Sequence, residues 1–253
     1  MPITTARDDA GIVTVTVDFP PVNALPSAAW FELAETILAA GADPDTSVVI
    51  LTAAGRGFNA GVDIKEMQAT EGFDALIGAN KGCFAAFAAV YECEVPVIVA
   101  VNGHCLGGGI GLVGNADVIV AADDATFGLP EVDRGALGAA THLSRIVPQH
   151  KARAMVYTAA SITADELASY GSVHAVVPAA DLRATAMEVA EQIAAKSPTV
   201  MRAAKASLNG IDLWDVRRSY RYEQGFTFEL NLAGVADEHR DAFVDKRDTD
   251  TSR

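Results

Sequence analysis

Phe127–Gly138 reads FGLPEVDRGALG and carries two carboxylates, Glu131 and Asp133, in a stretch that its glycines and proline mark as a loop. Carboxylates so placed are candidates for general acid–base work, although solvated loop side chains fit the same residues. Asn102–Gly111, NGHCLGGGIG, offers another chemistry. It joins one apolar run to a second, so its glycines put free backbone N–H groups at a helix start, where negative charge is favoured. Close backbone packing would also explain the glycines. Gly55–Met67, GRGFNAGVDIKEM, is a glycine-rich turn after an apolar run and can aim a backbone N–H into a cleft. An ordinary turn before a helix accounts for it as well. Neither glycine segment is a dinucleotide fingerprint, because the GxGxxG spacing and its acidic partner are missing. Neither is a P-loop, because the Lys-Ser/Thr ending is absent.

The elements that must hold these loops are legible from periodicity. Gly11–Asp18 alternates as a strand, and Val48–Ala53 and Val97–Val101 are short apolar runs that predict buried strands. Val118–Ala121 and Thr126–Gly128 predict two more. Trp30, Leu33, Ala34, Ile37 and Leu38 recur at helical spacing behind Ser27, a candidate N-cap. A helix is predicted within Phe73–Tyr91, and a short apolar one from the glycines toward Asn115. Strands alternating with helices predict an α/β core. Beyond about residue 140 the pattern turns helical, broken by a predicted strand at Val173–Val177. Leu182, Ala186, Val189, Ala190 and Ile193 form one helical stripe. A soft boundary near Lys196 divides a core, 1–196, from a C-terminal helical region, 197–253.

Composition narrows the partners. The chain has 253 residues, half of them hydrophobic, and a formal charge of −14. Nucleic acid is a poor partner for so acidic a chain. No apolar run reaches the ~18–20 residues that span a bilayer, and the N-terminus lacks a secretory pattern. Three unpatterned cysteines predict neither a disulfide framework nor a metal site, and suit a reducing cytoplasm.

In order and spacing, the chain resembles the enoyl-CoA hydratase/isomerase family, the crotonase superfamily. The resemblance runs through PVNAL (Pro21–Leu25), FNAGVDIKEM (Phe58–Met67), PVIVAVNG (Pro96–Gly103), GGGIGL (Gly107–Leu112), Asp117 and FGLPEVDRG (Phe127–Gly135). It implies a spiral of ββα units with a C-terminal helical trimerisation region, an acyl-CoA substrate, and a homotrimer or dimer of trimers. Coenzyme A enters as part of the substrate, and no separate cofactor or metal is implied. The resemblance places the oxyanion hole at the N–H groups of Ala60 and Gly108, the pantetheine stretch at Val22–Ala24, and the adenine-side wall at Asp63, Ile64 and Lys65. Lys246 is a candidate for meeting CoA from a neighbouring subunit.

Hydratases of this family use two glutamates around a water. The second matches Glu131; where the first should stand, this chain has Gly111. The expectation therefore turns from hydration toward isomerisation or C–C cleavage, with a pocket enlarged at Gly111. Three runs resemble more narrowly a subgroup that opens a ring of a bicyclic, steroid-derived CoA thioester: YECEVPVI (Tyr91–Ile98), VDRGALGAATHLSR (Val132–Arg145) and EQGFTFELNLAGVADEHRDAFV (Glu223–Val244). The implied chemistry is a retro-Claisen hydrolysis. Glu131 activates water, the thioester oxygen takes up the charge, and Asp133 or His142 supplies acid or hydrogen-bonding help. Enoyl-CoA isomerase, hydratase and a non-catalytic acyl-CoA-binding protein are the alternatives.

Overall fold

Runs of β-branched residues build the strands, and the loops between them carry the glycines. The computed structural model describes residues 2–245. Lys246 lies outside them. The chain runs β1 (Ile3–Arg7), β2 (Ile12–Val17), α1 (Ser27–Ala42), β3 (Val48–Ala53), β4 (Gly57–Asn59), α2 (Ile64–Ala69), α3 (Asp74–Glu92), β5 (Val97–Val101), β6 (His104–Leu106), α4 (Gly108–Val113), β7 (Val118–Ala122) and β8 (Thr126–Gly128). A 3-10 turn at Pro130–Arg134 leads to α5 (Ala140–Ile146), α6 (Gln149–Thr158), β9 (Ser161–Thr163), α7 (Ala164–Ser169) and β10 (Ala175–Val177). Four helices finish it: α8 (Leu182–Ala194), α9 (Pro198–Gly210), α10 (Val216–Leu232) and α11 (Val235–Asp245).

Six strands form one sheet in the order β1-β2-β3-β5-β7-β10, parallel except for the β1–β2 pair. A smaller sheet runs β4-β6-β8-β9. Each of β3, β5 and β7 in the first sheet is followed in sequence by β4, β6 and β8 in the second. This repeat is the spiral of ββα units. β5 is buried along its whole length, and β3 over all but its last residue, as expected of parallel strands covered on both faces.

Two expectations need correcting. Ser27 is the first residue of α1 rather than its cap: Pro26 holds that position. The Ser27 N–H and hydroxyl both donate to Glu66 Oε2 at 2.7 and 2.8 Å, which ties α1 to α2. The strand expected at Val173–Val177 starts only at Ala175, where pairing with β7 begins. The Gly55–Gly61 turn encloses β4, and β1, β6 and β9 also escape periodicity. All but β1 are three residues long and are fixed by their sheet partners.

The C-terminal helices are bolted to the core by polar contacts. Lys205 on α9 is 3% exposed, and its Nζ lies 2.6 Å from the Asp117 carboxylate. Arg202 donates to the carbonyls of Gly41 and Asp43 and to Glu94. Tyr91 Oη donates to the Asn209 carbonyl at 3.0 Å, and Glu92 pairs with Arg217. Among the described residues, no helix is long and apolar enough to cross a membrane.

Candidate active site

Asn23 organises the first wall of the site. It is buried, with φ 55°, and its Nδ2 donates to the carbonyls of Ala54 and Gly57 at 2.8 Å each. Its own carbonyl accepts from Asn59 Nδ2 at 2.8 Å and from the Ala60 N–H at 3.3 Å. Leu25 and Val62 pair as a parallel bridge. These bonds lash the PVNAL segment to the loop that carries Ala60. The His104 ring bonds the Val22 carbonyl at 3.2 Å.

Gly107 and Gly108 form the opposite lip. Gly107 has φ 57° and ψ −116°, a conformation open to glycine, and a Cβ there would lie 2.4 Å from Glu131 Oε1. Gly108 then opens α4, so its N–H has no intrahelical acceptor. Gly61 faces it closely: a Cβ on Gly61 would stand 3.4 Å from the Gly108 nitrogen. Gly108 itself abuts the Trp30 ring, which is fixed by a 3.1 Å bond from its Nε1 to the Leu25 carbonyl.

Glu131 sits on the 3-10 turn behind Pro130. Its carboxyl lies against Gly107 and Gly138, and its Oε2 is buried with no hydrogen-bond partner. Burial pushes its pKa up to about 8, against the opposing pull of Arg134 and with a further push from Glu223. A carboxyl with one oxygen unpartnered, held neutral by burial, is poised to take or give a proton near neutrality.

A cavity of about 540 Å³ joins these walls. Val22, Ala24, Ala60, Asp63, Ile64, Lys65, Gly108 and Glu131 all line it, so most of the residues picked from sequence meet in one place. A second cavity of about 750 Å³ lies on the far side of Glu131, Leu137 and Gly138, which line both. Asp133 is exposed and lines neither cavity. His142 is 1% exposed and also lines neither; its ring packs against Phe87 and Tyr220 at centroid distances of 5.1 and 4.9 Å. Burial and nearby Arg145 push its pKa down to about 3, so the ring is neutral.

Gly111 does not enlarge the cavity. A Cβ there would lie 2.3 Å from the Phe87 ring, so α3 fills the space that a glutamate would take. Phe87 lines the cavity in its place and stands edge-on to Trp30 at 5.7 Å. The wall that would be acidic is aromatic instead.

Comparison with known proteins fits this geometry. The model of the enoyl-CoA hydratase/isomerase family matches residues 7–251. The chain belongs to that family. It is 70% identical over 246 residues, 97% of this chain and 100% of the other, to the (7aS)-7a-methyl-1,5-dioxo-2,3,5,6,7,7a-hexahydro-1H-indene-carboxyl-CoA hydrolase of Mycobacterium tuberculosis (strain ATCC 25618 / H37Rv). It is 68% identical over 245 residues, 97% and 95% of the two chains, to the protein of the same name from Rhodococcus jostii (strain RHA1). The crystal structure of an enoyl-CoA hydratase/isomerase from Pseudoalteromonas atlantica T6c shares the crotonase fold with a TM-score of 0.87 at 26% identity, covering 100% of both chains.

Within this crotonase frame the C-terminal helices close the site. Tyr220, Thr227 and Asn231 of α10, and Arg240 and Phe243 of α11, line the first cavity. Sequence reading does not select Phe87, Cys83 or Arg240 as site residues. Arg134 stacks over the Phe243 ring at 4.1 Å, which joins the Glu131 turn to α11. Cys83, beside Glu131, is a thiol whose pKa burial and that carboxyl both raise. The Glu223–Val244 run holds Thr227, Asn231, Arg240 and Phe243, but only contacts distant in sequence show that they face the cavity.

Proposed function

We propose that this protein hydrolytically opens a carbon ring of a bicyclic, steroid-derived CoA thioester, the methyl-dioxo-hexahydro-indene carboxyl-CoA of its named relatives. One observation carries the chemistry. A single buried carboxyl, Glu131, faces the cavity that the Ala60 and Gly108 backbones border, while Phe87 occupies the place of a second carboxyl. A lone base with an aromatic wall suits a bulky ring better than the paired addition of water to an open chain.

In this reading Glu131 takes a proton from water, and the hydroxide adds to the C1 ketone. Collapse of the adduct breaks C1–C7a and leaves C1 as a carboxylic acid. The electron pair left on C7a is allylic to the C3a=C4 double bond that the compound's name leaves. A carboxyl-CoA group on C4 would let that charge spread to the thioester oxygen. The Gly108 N–H and the Ala60 N–H meet that oxygen; the anion outcompetes the 3.3 Å bond from Ala60 to the Asn23 carbonyl. Proton return from Glu131 to carbon completes the addition of one water. Val22, Ala24, Asp63, Ile64 and Lys65 guide pantetheine and nucleotide.

Coenzyme A enters as part of the substrate and stays on the product, and the proposed steps use no further cofactor. Three buried free cysteines support a cytoplasmic setting. The exposed side chains of Ile211, Leu213 and Tyr222 support a homotrimer or dimer of trimers, because so much apolar surface marks a contact.

The test offers purified protein crotonyl-CoA, a 3-enoyl-CoA and the dioxo-indene carboxyl-CoA, with products followed by mass. Gain of water with ring opening on the bicyclic substrate alone is expected. Comparable turnover of crotonyl-CoA, or double-bond migration in the 3-enoyl-CoA, would overturn the assignment.

A further inference from the structure

α5 begins without a cap of its own. Ala139, with φ 50°, precedes it and offers no side-chain acceptor. The missing acceptor comes from α10: Glu223 accepts from the Ala140 N–H at 2.8 Å, the Thr141 N–H at 3.1 Å and the Thr141 hydroxyl at 3.2 Å. One turn along the same helix, Thr227 Oγ1 accepts from the Leu137 N–H at 3.2 Å and donates to the Leu137 carbonyl at 2.9 Å. Between these two clamps lies Gly138, where a Cβ would stand 2.8 Å from Glu131 Oε1. Glu223 and Thr227 therefore pin, from four residues apart, the segment 137–141 against which the Glu131 carboxyl rests.

We propose that Glu223 and Thr227 are positioning residues for Glu131, acting through the 137–141 segment that they clamp. The proposal rests on Glu131 being the base. Its physical content is geometric: a proton-transfer group displaced by about 1 Å loses on the order of 10²-fold in rate. Glu223 also lines the second cavity together with Glu131; burial raises its own pKa against the opposing pull of the Ala140 and Thr141 N–H groups and the Thr141 hydroxyl, and its ionised form adds to the burial that holds Glu131 protonated. The other groups that face Glu131 electrostatically are Arg134 on its own turn, Cys83 on α3 and Tyr220 on α10. Neither Cys83 nor Tyr220 carries charge near neutrality, because burial raises the pKa of both.

Two conservative variants separate clamp from charge. Glu223→Gln removes the charge and keeps one of the two oxygens that accept from α5, the other becoming an N–H donor. Thr227→Val keeps the volume and removes both bonds to Leu137. The Glu131 carboxyl is titrated by carbon-13 NMR in protein labelled at glutamate, with Glu131→Gln assigning its signal, alongside the pH profiles of kcat and KM. In Glu223→Gln the Glu131 titration and the acid limb of kcat are expected to move together to lower pH. In Thr227→Val kcat is expected to fall at least tenfold, with KM little changed and the thermal midpoint lowered by a few degrees for the lost bonds to Leu137. A Glu131 titration and a kcat unmoved in both folded variants would overturn the proposal. A titration that moves while the kcat limb stays would leave the electrostatic coupling standing and sink the role of Glu131 as base.

Discussion

Glu131→Gln is expected to lower ring-opening turnover by about 10²–10⁴-fold, the usual worth of a positioned general base, while the folded protein gains thermal stability. The two effects share a cause. The Glu131 carboxyl is buried with one oxygen unpartnered, so it is costly to ionise in the fold and useful when it does. The pH dependence follows from the sign of the shift. The ordinary glutamate value is 4.5, and burial raises it here to about 8. Between those values the native state holds a proton that the unfolded chain has lost. The stabilising contribution of the neutral form is complete below the lower value, declines as pH rises, and is gone above the higher one. Catalysis runs the other way. The base form grows with pH, so kcat/KM rises through neutrality and levels off above about 8. Glu131→Gln abolishes both trends. Thermal melts and initial rates across this range check both. A variant with wild-type turnover, or a wild-type rate flat from pH 6 to 9 (from roughly two units below that pKa to one above it), would remove Glu131 from the base role.

The second large effect concerns the position where a hydratase of this family would carry its other glutamate. Gly111→Glu is expected to destabilise the protein by at least ~3 kcal/mol, because its Cβ meets the Phe87 ring and its carboxylate enters an apolar layer without a partner. For a chain of this size that lowers Tm by roughly 6–12 °C. No hydration of crotonyl-CoA is expected. Adding Phe87→Ala should recover part of the lost stability by vacating the ring's volume. A stable Gly111→Glu protein that hydrates crotonyl-CoA would show that Phe87 does not close this position.

These two residues also mark where the sequence is informative. The strands at Val48–Ala53 and Val97–Val101 are legible because burial on both faces demands continuous apolar runs. The chemistry-bearing loops are legible because a backbone turn against Glu131 tolerates only glycine at position 107. Family resemblance carried Ala60, Gly108 and the CoA-side residues to their positions, and the fold gathers them around one cavity. The consequence of Gly111 was not legible. Losing a side chain suggests empty space, and only the packing of α3 reveals that Phe87 fills it. His142 shows the same limit, since nothing local says that its ring packs against both Phe87 and Tyr220, off the cavity wall. The part of α10 and α11 in closing the site depends on contacts more than 80 residues apart, such as Glu223 with Thr141.

The most direct test of the account is a single turnover of the dioxo-indene carboxyl-CoA in oxygen-18 water. The account predicts one heavy oxygen in a newly formed carboxylate, with the CoA thioester intact and the ring open. Release of free CoA with the ring system left unopened, or label at a hydrated double bond, would contradict it.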